Sequence, residues 1–555
     1  MARRWFDDLP SVKRRRSNFD LSHRVATTMQ VGKLTPIDVV EVLPGDTWTV
    51  TPASFTRLSR PLIRPIMDDV YLDSYSFFVP LRLCMSDFEQ VFGDSSTTAY
   101  SSPDLKVIPS IIYGNTQAGV LAASGTVADY LGIPSSIAYD QSGMVSFCSD
   151  ISILPFRAFA LIWNEFFRDQ NVDQETYVNL GNTPSNSERV NSDAWSPTNY
   201  FGKLPLVRRY GDLFSTALPG PQKGPSMKIP GIAGAPVYTT SNVQLTGYHN
   251  TLSFTRTNGG SQALSGPLGI SNGRAAINES ESGFDYSSLV YPNNLAVLRA
   301  NNDGTINALR TAFQLQKYLE RDAIYGTRYR EYLYAAYGVT SPDSRIQIPE
   351  FLAGAHNRMN IQQVPSTVSS GTVPQGTYAA NIASLSEHSG GFSKSFTEHG
   401  YIVTVACVRY KHLYSQSISS LWRRLKREDF YDPLFANLGM QAVYVEDVYG
   451  VALDTLQKPV FGYQEAFANY RTILDRVSGQ MRPDSGNLGQ FWSLADKFAG
   501  PPSLIDLVHE DGTSFERVLS SSQSVEDPFV VDFNFKCSVA RVVSPYSMPG
   551  YVDHH

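Results

Sequence analysis

Val531-Asp-Phe-Asn-Phe-Lys-Cys537 alternates apolar and polar side chains without a break. Successive side chains of an extended strand point to opposite faces, so this stretch has one apolar and one solvated face. Strand patterns recur far upstream. Thr47-Trp-Thr-Val-Thr51 follows a Pro44-Gly45-Asp46 turn and sets Trp48 and Val50 on one side. Val70 to Val79 and Tyr401 to Arg409 are β-branched and aromatic on both sides and read as strands with no solvated face. Strands near both ends of the chain, with helical stretches between them, predict a mainly β protein. The expected architecture is an antiparallel jelly roll of eight strands carrying large loop and helical insertions.

Three helical stretches interrupt the strands. The first is Leu154 to Asn171, LPFRAFALIWNEFFRDQN. Pro155 suits the first turn, where a missing N–H costs nothing. Phe156, Phe159, Trp163, Phe166 and Phe167 then share one face at a 3.6-residue period, while Arg157, Asn164, Glu165, Arg168 and Asp169 fall elsewhere. So bulky a face needs a core or another subunit to cover it. The second stretch starts at Thr305. It places Ala308, Ala312, Leu315, Leu319 and Ala323 in register, followed by Tyr329, Tyr332, Leu333, Ala336 and Tyr337 up to a stop at Gly338. The third, Ser415 to Arg427, puts Ile418, Leu421, Trp422 and Leu425 on one side. Periodicity alone does not divide these aromatics between core and subunit interface.

Forty glycines and 33 prolines in 555 residues, with 12% aromatic and only 18% charged residues, describe a turn-rich globular chain rather than a disordered one. Forty-six cations against 52 anions leave a net charge of −6, which taken alone argues against a protein coated in nucleic acid, although the local distribution of charge matters more. Cys84, Cys148, Cys407 and Cys537 are widely separated, without zinc spacing, and read as reduced, mostly buried thiols of a protein folded in a cytoplasm. The basic N-terminus is not followed by an apolar run, and the longest apolar stretch, Tyr401 to Val408, is too short to span a bilayer, so neither a signal peptide nor membrane insertion is expected. The sequence contains no HExxH or Walker-type GxxxxGK[ST], and no two histidines share metal-ligand spacing. No catalytic residue, metal or cofactor is expected.

Four regions follow. Residues 1–24 form a basic arm in which seven cations outnumber three anions. Arg3, Arg4, Lys13, Arg14, Arg15 and Arg16 are its candidate nucleic-acid contacts. Clustered cations displace phosphate counterions whatever the base sequence, and Trp5 and Phe19 flank them as stacking rings. Residues 25–218 hold the first part of the core with the first helical insertion. Residues 219–304 are rich in Gly, Ser, Thr and Asn and read as a surface insertion with short hairpins. Residues 305–555 hold the remaining helices and core strands.

Several blocks carry a resemblance. They are Phe19-Asp-Leu-Ser-His23, Leu34-Thr-Pro-Ile37, Glu41-Val-Leu-Pro-Gly-Asp46, Arg64-Pro-Ile-Met-Asp68 and Tyr71-Leu-Asp-Ser-Tyr-Ser-Phe-Phe-Val-Pro80. Leu154 to Asn171, Thr305-Ile-Asn-Ala-Leu-Arg310, Gly338-Val-Thr-Ser-Pro-Asp343, Phe392-Ser-Lys-Ser-Phe-Thr-Glu-His-Gly400, Val460-Phe-Gly-Tyr-Gln-Glu465 and Asp532 to Gly550 continue the series. In this order they resemble blocks of the major capsid proteins of microviruses, small single-stranded DNA bacteriophages, and of the gokushovirus branch in particular. Pro219 to Gly304 carries no matching block.

The resemblance implies a structural protein with a jelly-roll core. Identical copies would associate through pentamers into a T = 1 icosahedral shell around circular single-stranded DNA. It further implies a small basic DNA-packaging partner, residence in the virion after assembly in the host bacterial cytoplasm, and an insertion that clusters as a threefold spike facing a host cell surface receptor. Phe156, Phe159, Trp163, Phe166, Phe167, Tyr329, Tyr332 and Tyr337 would then supply core or subunit interface. The alternative from a different class is a carbohydrate-binding or carbohydrate-active β-sandwich, whose Tyr, Trp and Asn/Gly loops suit sugar stacking. The missing signal peptide and missing acid/base pair weigh against it.

Overall fold

The structure, a computed structural model, describes residues 15–93, 106–113, 124–133, 149–184, 188, 191–227, 306–367, 378–388, 390–450, 459–520 and 527–546, and six short strands between residues 237 and 297. The chain divides into two compact units, Gln222–Ile324 and the remainder.

Ten strands of the larger unit form one antiparallel, hydrogen-bonded series. They are β1 (Ser17–Asp20), β2 (His23–Met29), β3 (Thr35–Val42), β4 (Thr47–Leu58), β5 (Val70–Pro80), β6 (Glu350–Pro365), β7 (Tyr378–His388), β8 (Phe392–Ser395), β9 (Gly400–Tyr410) and β10 (Phe529–Arg541). The series runs β1-β10-β4-β7-β6-β5-β9-β3. The sixteen-residue β6 changes partner midway: Glu350 to Met359 pair with β5, and Asn360 to Pro365 pair with β7. This switch turns the series into two layers. One hydrophobic core takes Trp48, Val50, Phe533 and Phe535 from the first layer and Leu72, Phe78, Ile402 and Val408 from the second.

Ten strands stand where eight were expected. β1 and β2 lie end to end along β10, opposite its two halves, and β7 and β8 lie end to end along β4. Each pair is one row interrupted by a short break, so ten strands fill eight rows.

β10 and β4 alternate strictly. Phe529, Val531, Phe533, Phe535, Cys537 and Val539 point inward, as do Trp48, Val50, Ser54 and Thr56. β5 and β9 are central strands of the second layer and are buried almost throughout. Their outer face, with Phe77, Val79, Val403, Val405 and Cys407, enters a second core shared with a helix, α1 (Leu154–Ile162). Two covered faces explain why neither strand shows a two-residue period.

The first predicted helix is shorter than its apolar period. Regular α geometry stops at Ile162, and Trp163–Phe167 form a single π turn closed by the Arg168 N–H donating to the Trp163 carbonyl at 2.9 Å. The third predicted helix is absent. Ser415 to Arg427 contains only the 3₁₀ turn Ser420–Arg423, whose Ser419 side chain accepts from the Leu421 N–H. Leu421, Trp422 and Leu425 are exposed, so no core draws this segment into a longer helix.

In the smaller unit, three two-stranded antiparallel ladders pair Val237–Thr239 with Leu295–Val297, Phe254–Arg256 with Val290–Pro292, and Leu268–Ser271 with Arg274–Ile277. Helix α2 (Ile306–Tyr325) follows; Thr305, its expected cap, lies outside the described residues. In the larger unit, α3 (Tyr329–Tyr337) ends at Gly338, whose φ of 67° is the left-handed conformation that stops a helix.

Candidate assembly surface

The structure separates the aromatic residues singled out from the sequence. Phe156, Phe159 and Trp163 are buried inside the larger unit. The Phe156 ring lies 4.7 Å from Phe201, and the Trp163 indole N–H donates to the Leu206 carbonyl at 3.2 Å. The π turn swings Phe166 and Phe167 onto β5: Phe166 sits 4.7 Å from Phe77, and Phe167 lies edge-on to Tyr75 at 5.6 Å. Both remain partly exposed. Tyr329 and Tyr337 of α3 are 63% and 68% exposed, and Tyr332 is half-buried 6.0 Å from the Tyr337 ring. The two aromatic helices are therefore not brought together as one patch. α1 faces inward and α3 outward.

Several buried charges sit in compensated groups. Arg157 donates to the Glu188 carboxylate at 3.2 Å and to the Cys84 and Gly181 carbonyls at 3.0 and 2.9 Å. His412 lies between two carboxylates, with Nδ1 2.9 Å from Asp496 and Nε2 2.7 Å from Glu510. Arg209 donates to Asp496 at 2.8 Å, and the Ser514 hydroxyl donates to it at 2.9 Å. Burial alone would lower the His412 pKa, but Glu510 and Asp496 outweigh it and hold the imidazole up at about 9. Burial likewise works against ionised Asp496, but His412 and Arg209 hold it down at about 2. The group carries two positive and two negative charges and ties together loops far apart in sequence.

A cavity of about 380 Å³ lies beside the π turn, lined by Tyr75, Phe166, Phe167 and five arginines among others. Arg208 pairs with Asp169 at 3.3 Å, Arg409 with Asp73 at 2.8 Å, and Arg328 with Glu331 at 3.8 Å. Arg168 donates to the Asp173 carbonyl at 3.0 Å. These guanidinium groups brace loops. The lining contains no hydroxyl or thiol nucleophile beside a base. Glu398, next to His399, is likewise structural, accepting from Arg82 at 2.6 Å.

Arg3, Arg4, Lys13 and Arg14 lie outside the described residues. Arg15 is exposed, and Arg16 donates to the Thr47 hydroxyl at 3.0 Å. The next residues enter β1, in register with the C-terminal half of β10 from Ser17 opposite Arg541 to Asp20 opposite Ser538. The basic run thus leaves from a fixed point on the sheet edge. Cys84, Cys407 and Cys537 are buried free thiols; Cys148 lies outside the described residues. Among the described residues no helix is long and apolar enough to cross a membrane.

Sequence reasoning missed one surface. Three short 3₁₀ turns, Ser420–Arg423, Arg427–Asp429 and Pro433–Phe435, present Trp422, Leu425, Phe430, Tyr431, Leu434 and Leu438 to solvent. Its first part reads in the sequence as one face of a helix, with Leu421, Trp422 and Leu425, whereas Phe430 to Leu438 carries no helical or strand period that singles it out.

A family model described as "Capsid protein (F protein)" matches residues 7–551. The chain is 34% identical to capsid protein VP1 of Bdellovibrio phage phiMH2K, covering 98% of this chain and 97% of that one. It is 33% identical to capsid protein VP1 of Spiroplasma virus 4, covering 96% and 95%. It is 30% identical to capsid protein VP1 of Chlamydia phage 1, covering 98% and 97%.

Proposed function

The chain belongs to the phage capsid protein (F protein) family, and from that membership we propose that its copies close into an icosahedral T = 1 shell around a circular single-stranded DNA genome. Its role is structural rather than enzymatic, its place is the virion, and it assembles with copies of itself. The observation that carries the finer reading is coverage. Each of three VP1 capsid proteins aligns with at least 96% of this chain, so sandwich and helices match as one unit. Shell closure then rests on repeated burial of apolar surface between identical subunits. Tyr329, Tyr332 and Tyr337 are the aromatics of the original set that α3 leaves available for such burial.

In this reading Arg3, Arg4, Lys13, Arg14, Arg15 and Arg16 contact packaged DNA, and a small basic packaging protein shares that task. Rooting of the run beside β1 supports the assignment, because a tethered cationic segment keeps a high local concentration at one place on the shell. The Gly/Ser/Thr/Asn-rich insertion, residues 219–304, is the segment offered to the host surface receptor.

Replacing Lys13 to Arg16 with alanine tests the DNA assignment. Particles should form at the parent's yield with their packaged DNA at least halved, measured as the ratio of absorbance at 260 and 280 nm across a sedimented band. Unchanged DNA content removes the arm from packaging. A parent chain that forms no closed particle in negative-stain images overturns the shell reading itself.

A further inference from the structure

We propose that the exposed turns after Ser419, together with the neighbouring loop around Tyr470, form a contact surface for a second copy of this chain. The inference rests on the shell-forming reading and assigns to it a surface that the aromatic-helix pattern does not contain.

Side chains that a monomer normally hides are uncovered here. Trp422 is 73% exposed, Leu425 86%, Leu434 88% and Ile473 96%. The two segments carrying them are held together. The Tyr431 ring packs edge-on to Phe467 at 5.3 Å and lies 6.1 Å from Tyr470, and the Arg424 guanidinium sits over Tyr470 at 4.1 Å. The Asn469 side-chain amide also donates to the Ser420 hydroxyl. The apolar groups are thus displayed on a braced platform rather than on free loops.

Area argues for a protein partner. A full aromatic side chain covers about 150–250 Å², so the exposed Trp, Phe, Tyr, Leu and Ile groups of the two segments together leave on the order of 1,000 Å² uncovered. Contiguous apolar patches on monomers usually stay at a few hundred Å². One partner of a stable complex contributes roughly 800 Å². Charge argues for a copy of the same chain. Arg424, Lys426 and Arg427 run directly into Glu428-Asp429 and then Asp432, while Arg423 is paired with Glu446 and Asp447 of its own subunit. Two copies meeting in opposite directions bring the cationic half of one opposite the anionic half of the other, so the surface is complementary to itself.

The test combines Leu434→Asp with Ile473→Asp in the full-length chain. Both sites are almost fully exposed in the isolated subunit, so its thermal melt should match the parent's. The particle yield by sedimentation should fall at least tenfold. Undiminished yield overturns the proposal. Should the variant fail to fold, Leu434→Cys supplies a second readout: maleimide should modify that thiol at least tenfold more slowly in particles than in free subunits. Equal rates overturn the proposal. So does protection seen in complete virions but not in particles of this chain alone, because it assigns the surface to another virion protein. A parent chain that forms no particles fails the shell-forming reading first, and this assignment falls with it.

Discussion

Arg157 occupies a helix position that the apolar period leaves to solvent, yet it is completely buried and bonded to Glu188. Asn164, another of the polar positions, is also buried, and its side chain makes two hydrogen bonds to the Thr176 backbone. A helix covered on more than one side has no solvated stripe, so its polar residues must be satisfied internally. The sequence contains no mark that separates such a residue from a surface one. His412 was no more legible, because its partners stand at positions 209, 496 and 510. Its consequence is a pH dependence. Folding raises the His412 pKa from 6.5 to about 9, so the stability it adds is complete below about pH 6.5 and lost as pH climbs through about 9. Asp496 is held at about 2 against an ordinary 3.8, so its contribution is present above about pH 4 and lost as pH falls through about 2. The parent subunit's melting temperature should therefore decline between pH 6.5 and 9. His412→Gln should start lower and stay nearly flat across that window. A parallel decline in both proteins would show that the imidazole is not the group titrating.

Among the elements, legibility follows the number of covered faces. β10 has one face in the core and one outside, and its alternation placed Val531, Phe533, Phe535 and Cys537 correctly inward. β5 and β9 are covered on both faces, so composition marked them as buried but could not say which residue faces which core. The structure answers for β5: Leu72 and Phe78 face the core between the layers, whereas Phe77 and Val79 face the core under α1. The end of α1 was illegible for a related reason. The aromatic period runs on to Phe167, but packing against β5 is reached through a π turn that no spacing rule forecasts. Phe77 joins these elements, with Phe166 at 4.7 Å, Phe351 at 5.7 Å and Phe167 at 6.2 Å. Phe77→Ala removes the common partner of three rings and leaves a cavity. The expected cost is about 3–5 kcal/mol, read from urea unfolding of the free subunit. A loss under about 1 kcal/mol would mean that the π turn collapses to fill the space and that the ring cluster does not anchor it.

For the whole molecule, the ordered series of blocks was worth more than any periodicity. Composition and spacing led to a β-sandwich with insertions, while the choice of a shell protein over a sugar-binding sandwich rested on the blocks and now on family membership. Pro219 to Gly304 was the gap in that series. The compact smaller unit, Gln222–Ile324, covers most of the gap and extends into α2. A unit whose contacts are mainly internal tolerates shortening without unfolding the rest, since the sandwich keeps its own core between β4, β10, β5 and β9. Long Gly- and Ser-rich insertions on a rigid scaffold are also where recognition is commonly carried. The test is a deletion of residues 231–283, with a short Gly/Ser linker joining Pro230 to Phe284. Particles of this variant should form within about twofold of the parent's yield. Adsorption to host cells, measured as particles removed from the supernatant, should fall at least tenfold. Normal adsorption with normal particles would take the receptor role away from this insertion. Loss of particles together with adsorption would place the insertion in the shell's own contacts.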